Sequence, residues 1–274
     1  MTGLLARREH FERVGSTNDV VREWLADGTP EVCLAVADEQ RSGRGREGRR
    51  WVAPAGSALL VSLGFRPTYL APDAAWRLAA VASLALAEAA EAVADLPRGT
   101  IRLKWPNDLV IATGSVAEAG PGVRKLAGVL GETDGLGTDD PRVVVGLGLN
   151  ADWAPADFPL DLAGSMISLR EVAGGRPIDV DVLLEGFLAR LEPRVDALRT
   201  GAFDGAGWAD RQVTTGRMVR LEASTGDETV RALGVDPSTG ALIVADASTP
   251  AGERHVVVGE ITHVRLAETI AEMV

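Results

Sequence analysis

The chain has 274 residues, 46% hydrophobic and 24% charged, enough apolar material for one large domain, or a large and a small one, around a real core. A net charge of −11 excludes general affinity for DNA, RNA or anionic lipid. The single cysteine, Cys33, excludes an intramolecular disulfide and a cysteine-based zinc site, and the scattered His10, His255 and His263 offer no metal-ligand spacing. The N-terminal "MTGLLARREHFERV" holds no apolar core fit for a signal peptide, and the longest helix-like apolar stretch, Leu78 to Ala87, is too short to cross a bilayer. A cytoplasmic protein with no membrane partner is expected.

In chain order, Ser16, Thr17 and Asn18 are competent N-caps for a helix whose apolar stripe is Val20, Val21, Trp24 and Leu25, with Gly28 as its stop. Residues 31–40 read as a buried strand and 57–67 as a second, ended by Pro67. From Asp73 to about Asp95 the Ala/Leu-rich pattern predicts one long buried helix, with Pro72 near its first turn. Residues 100–113 place a strand on each side of a Trp-Pro-Asn-Asp turn, and 114–124 read as an exposed, mobile connection. Strands are expected at 125–133 and 142–150, loop over most of 151–178, and an amphipathic helix over 179–201 with a break or kink near Glu192, ahead of Pro193. After about residue 210, four or five short β-branched runs between Gly- and Pro-rich turns suggest a small barrel. The fold class is therefore α+β, a domain of strands and helices followed by a compact β domain.

The segment "SGRGREGRRW", Ser42 to Trp51, satisfies G-x-G-x-x-G, and five arginines crowd residues 41–50. A dinucleotide-binding turn would open a helix and be followed by an acid about 20 residues on. Here Pro54 and Gly56 interrupt any helix, and nothing acidic lies between Glu47 and Asp73. The alternatives are a solvated loop and a phosphate-facing lid. Glycines let backbone N–H groups fold over a ligand, and arginine forks match phosphate oxygens. In an acidic protein such a cluster is a local device for an anionic ligand.

"GRGREGRRW", with "KWPND" (104–108), "KLAGVL" (125–130), "GLGLN" (146–150), "STN" (16–18) and "EQ" (39–40), resembles the biotin protein ligase family in order and spacing. The resemblance spans nearly the whole chain. It implies a class II synthetase-like catalytic domain, 1–210, with a central mixed sheet flanked by helices, and a small SH3-like β-barrel, 211–274. It also implies an ATP- and Mg²⁺-dependent ligase that forms biotinyl-5′-AMP and then transfers biotin to a lysine of a biotin carboxyl carrier domain.

By that resemblance Ser16, Thr17, Asn18 and Gln40 meet the ureido ring, with helix capping as a compatible role for Ser16 and Thr17. Gly43, Arg44, Gly45 and Arg46 form the lid over biotin, and Gly128 allows its close approach. Arg46 and Arg49 contact phosphate, while Arg41 and Arg50 are left as solvated charges. Lys125 bridges the biotin carboxylate and the α-phosphate. Trp51 lies beside adenine or in the core, Lys104 and Asn107 serve ATP, and Asn150 meets the nucleotide or ends a turn. Asp108 is a candidate to orient the acceptor lysine, bind Mg²⁺ or brace the turn.

Two departures from the family pattern stand out. The connection between "KWPND" and "KLAG" is longer than is common in the family. Only 15 residues precede Ser16, too few for a DNA-binding helix-turn-helix, so a monofunctional enzyme without DNA as a partner is expected. Monomer and homodimer remain equally open. The competing readings are a lipoate or octanoyl ligase of the same fold family and a non-catalytic nucleotide-binding module.

Overall fold

The computed structural model describes residues 3–113, 122–223, 226–258 and 263–266, His263 by its backbone alone. Seven strands form the larger sheet: β1 (Arg7–Val14), β2 (Cys33–Gln40), β3 (Ala58–Phe65), β4 (Ile101–Lys104), β5 (Asp108–Thr113), β6 (Gly122–Asp134) and β7 (Arg142–Asn150). Their order is β1-β2-β3-β7-β6-β5-β4, with β1 and β2 parallel and every other pair antiparallel.

Side-chain alternation gives this sheet two different faces. Leu34, Leu59, Val61, Leu63 and Val145 pack against α2 (Trp76–Val93) and α4 (Val180–Arg199) in the main core. Cys33, Ala35 and Val144 turn the other way and pack under α1 (Thr17–Ala26), through Val21, Trp24 and Leu25. Ten residues of α1 cannot cover that whole face, and the uncovered part becomes the site.

The β2, β3 and β7 expectations hold to within a few residues. The predicted long helix is α2, preceded by a 3-10 turn at Pro72–Ala74. Asp179 caps α4 by accepting N–H groups of Asp181 and Val182. Of the expected break or kink, the break is absent: α4 runs continuously from Val180 to Arg199 through Pro193, which withholds one N–H from the Ala189 carbonyl. The 114–124 connection is also corrected. Gly122, Val123 and Arg124 belong to β6, and 114–121 lie outside the described residues. Strand β1 gave no apolar alternation because it is a charged edge strand, a composition that discourages further pairing.

The loop expectation for 151–178 is broken only by a 3-10 turn at Pro155–Asp157 and by α3 (Leu169–Val172). After the short α5 (Gly205–Asp210), a second, antiparallel sheet comprises β8 (Met218–Ala223), β9 (Gly226–Val235), β10 (Leu242–Ala245), β11 (Glu253–Val256) and β12 (His263–Leu266). Its order is β11-β10-β9-β8-β12. At the junction, Arg211 makes a buried fork to Glu91 of α2, 2.9 and 3.0 Å, and donates to the Ile101 carbonyl. Among the described residues no helix is long and apolar enough to cross a membrane.

Candidate functional site

One cavity of about 1680 Å³ opens on the α1 face, larger than the few hundred to 1,000 Å³ typical of a single small ligand. Its floor is bare backbone. Gly128 of β6 and Gly148 of β7 are register partners, and the Trp51 ring lies over both. A Cβ on Gly148 would stand 2.5 Å from Trp51 Cε2, and one on Gly146 would overlap Asn18 Oδ1. The glycines of "KLAG" and "GLGLN" thus make room for Trp51 and Asn18.

Beside Gly146 lies an uncharged polar cluster. The Thr17 backbone N–H donates to Gln40 Oε1 at 2.8 Å, and the Thr17 hydroxyl lies 3.0 Å from the same oxygen. The fully buried Ser62 hydroxyl lies 2.7 Å from Thr17 Oγ1 and 2.5 Å from Asn18 Oδ1. Asn18 Nδ2 donates to Glu132, 2.7 Å. Ser16 occupies the N-cap position of α1, yet its hydroxyl makes no capping bond.

On the Lys125 side of Gly128 the cavity turns cationic. The β4–β5 hairpin sets Lys104 opposite Asp108, whose two carboxylate oxygens face Lys125 Nζ at 2.6 Å and Lys104 Nζ at 3.6 Å. Burial pushes the Lys104 ammonium below the usual lysine range, partly opposed by Asp108. Lys125 Nζ lies 5.6 Å from the Trp51 ring centroid. Arg46 and Arg49 border the same cavity, and burial lowers the pKa of the Arg46 guanidinium. Two ammonium groups and two guanidinium groups around one carboxylate favour a polyanion.

The segment expected to form the lid is a small hairpin. Trp51 N–H donates to the Gly43 carbonyl, Gly45 N–H to the Arg49 carbonyl, and Arg44 pairs with Arg50. A Cβ on Gly43 would meet the Trp51 carbonyl oxygen at 2.5 Å. At the tip Arg46–Gly48 is a single 3-10 turn, so no helix follows the glycines. Arg44 points away from the cationic end and forms a fork to Asp19, 2.7 Å on each arm, which holds the Asp19 carboxyl below its usual range.

Every expected site residue except Gly43 and Asn150 borders the cavity. Gly43 closes the lid hairpin. Asn150 is fully buried and donates to the Ile167 carbonyl, fastening the Ser165–Ile167 segment that runs beside Lys125. Asn107 spends its amide nitrogen on the Val129 carbonyl, bracing the hairpin against β6. Arg50, expected in solvent, also borders the cavity while donating to the Arg41 carbonyl.

Among the described residues no three His, Cys, Asp or Glu side chains gather around a common point, so a Mg²⁺ here would rely on phosphate oxygens, and the one carboxylate considered for it, Asp108, faces two ammonium groups. Sequence reasoning missed Ser62, Asp19 and Glu132. Ser62 sits in an otherwise apolar strand, so its lone hydroxyl was the available signal. Arg217, just ahead of β8, and Arg220 and Arg265 of the second sheet add another wall, signalled only by their basic character.

A sequence model of the biotin/lipoate A/B protein ligase family matches residues 10–150. A biotin–[acetyl-CoA-carboxylase] ligase of Mycobacterium tuberculosis is 31% identical over 258 residues, 92% of this chain and 87% of the relative. Its counterpart in Paracoccus denitrificans is 32% identical over 253 residues, 91% of this chain and 97% of the relative. Among solved structures, a biotin protein ligase from Aquifex aeolicus in complex with biotin and ATP shares the fold, with a TM-score of 0.75 at 24% identity, covering 95% of this chain and 99% of that one. The chain belongs to the biotin/lipoate A/B protein ligase family.

Proposed function

We propose that this chain is an ATP-dependent biotin–protein ligase, and that it forms biotinyl-5′-AMP and passes the biotinyl group to a lysine of a carboxylase's carrier domain. The observation that carries this reading is the change of chemistry along one cavity. Uncharged donors and acceptors around Thr17 and Gln40 suit a ureido ring, and the cations around Asp108 suit phosphate. The relatives' designation as biotin–[acetyl-CoA-carboxylase] ligases supports the same substrate and partner class.

In the first step a biotin carboxylate oxygen bonds to the α-phosphorus, the bond to the bridging oxygen breaks, and pyrophosphate leaves. Two anions must approach, so the barrier is chiefly electrostatic. Lys125, held by Asp108 between the glycine floor and the phosphate end, neutralises both; Arg46 and Arg49 draw charge from the phosphates. Lys104 keeps Asp108 in place from behind. Trp51 covers the floor and keeps water from the mixed anhydride beside the adenine. In the second step the acceptor amine attacks the acyl carbon and AMP leaves. Magnesium enters with ATP as its counter-ion.

The test supplies purified protein with biotin and MgATP and follows pyrophosphate release and transfer to a carrier domain. Biotin-dependent release followed by transfer supports the reading. Activity with lipoate and none with biotin would reassign the chain to the other branch of its family, and no release with either would leave a binding module.

A further inference from the structure

Glu132 lies on β6 opposite Val144, and one carboxylate oxygen gathers three side chains from two elements. Asn18 Nδ2 donates to it at 2.7 Å, Arg22 Nη2 stands 2.8 Å away, and Arg44 Nη2 is at 3.5 Å. Asn18 and Arg22 belong to α1, and Arg44 belongs to the lid. Arg22 and Arg44 also share Asp19, so the two carboxylates and two guanidinium groups form one closed network.

The chemistry of the partners gives this network a direction. A carboxylate only accepts, so the Asn18 amide must turn its NH2 to Glu132 and its carbonyl oxygen to Ser62. The single Ser62 proton then goes to Asn18, and Ser62 Oγ presents a lone pair to the Thr17 hydroxyl 2.7 Å away. Gln40 Oε1 is held by the Thr17 backbone N–H at 2.8 Å, which leaves the Gln40 NH2 as the face it offers elsewhere. Buried chains of this kind are strong only when every donor meets an acceptor. Without an acceptor-only group at position 132, the Asn18 amide has two nearly equivalent orientations and the sense of the chain is lost.

We infer that Glu132 is a positioning residue for ligand recognition: it sets the donor–acceptor sense of the buried Asn18–Ser62–Thr17 chain, beside the Gln40 amide that the Thr17 backbone N–H orients, and ties that chain to the lid through Arg44. This rests on the reading of the Thr17–Gln40 end as the ureido pocket. Glu132 touches neither reacting atoms nor phosphate; it acts through Asn18 and Arg44.

The test is initial-rate pyrophosphate release by the wild type, Glu132→Gln, Asn18→Ala and the double variant, with melting curves for each. Glu132→Gln is expected to raise the KM for biotin about tenfold with kcat and the KM for ATP within about twofold. In the Asn18→Ala background the same substitution is expected to raise the biotin KM less than about twofold, because the amide it orients is gone. Glu132→Asp, which keeps the charge on a shorter arm, is expected to recover part of the loss and serves as the measured variant should Glu132→Gln melt below assay temperature. An unchanged biotin KM, or an equal rise in both backgrounds, overturns the inference. A wild type that does not activate biotin overturns the functional reading itself, so the two failures are distinct.

Discussion

Replacing Gly148 by alanine tests whether the bare floor exists to seat Trp51. The added Cβ would stand 2.5, 2.7 and 2.9 Å from Trp51 Cε2, Nε1 and Cζ2, against an ordinary contact of 3.4 Å or more. The ring must therefore withdraw by about 0.9 Å, the difference between 3.4 and 2.5. A Cβ on Gly128, the register neighbour of Gly148, would likewise stand 3.3 Å from Trp51 Cζ3, so the ring is seated across both strands and withdraws upward, into the space assigned to adenine. Overpacking of this kind costs about 1–3 kcal/mol, set against a gain of about 0.4–1 kcal/mol from the stiffer unfolded chain. Gly148→Ala is thus expected to melt a few degrees lower and to raise the KM for ATP about tenfold, with a smaller change for biotin. Gly131→Ala is the control, since a Cβ there meets nothing within 4 Å, and it is expected to be neutral or slightly stabilising. The readouts are calorimetry and pyrophosphate release against each substrate. If the two alanine variants behave alike, the floor has no steric role and the reasoning is wrong.

Lys125→Ala removes the ammonium nearest Asp108 and is expected to lower the rate of adenylate formation by about 100-fold or more at unchanged secondary structure; near-normal pyrophosphate exchange would take Lys125 out of the chemistry. Limited trypsin digestion of the free protein is expected after Arg49 and Arg50, which are exposed, before Arg44, which is forked to Asp19, and biotin with MgATP is expected to slow it. Equal cleavage rates with and without ligands would count against a closing lid. Asp236 accepts from the Ser238 hydroxyl and from Thr239, which hold its carboxyl at about 2 against a usual 3.8. A lowered carboxylate stabilises above its unfolded pKa and loses that contribution as pH falls through the folded one. The gap in urea midpoint between wild type and Asp236→Ala is therefore expected to be constant above about pH 5 and to close toward pH 2, and a gap that persists in acid would refute it.

Much of the larger sheet was readable because its central strands are apolar runs bounded by turn formers. The β7 expectation, 142–150, matches the strand to the residue. Strand β1 was not readable, since an edge strand carries charge where a buried one carries Val or Ile. The glycines of "GLGLN" were visible as a motif, but their purpose was not. It depends on which face they share with Trp51, and that is decided by cross-strand register. Arg44 shows the same limit. Its charge and lid position are in the sequence, whereas its bond to Asp19, 25 residues earlier, exists only once α1 and the lid meet. Asn150 was ambiguous because a polar residue at a strand end looks the same whether it meets a ligand or a backbone carbonyl.

The fork between Arg211 and Glu91 bears on how the second sheet can be treated. Glu91 accepts Arg211 on both oxygens and, on one of them, the Gly99 and Ile101 N–H groups as well. A pair buried this completely tolerates no loss of one partner, which costs about 3–5 kcal/mol. The junction is therefore a splice, not a hinge. The arginines that the second sheet brings to the cavity are indexed to α2, the helix that carries the main core. Grafting that sheet from a relative requires carrying Arg211 and Glu91 together, and cutting the chain ahead of Arg211 strands a buried carboxylate on α2.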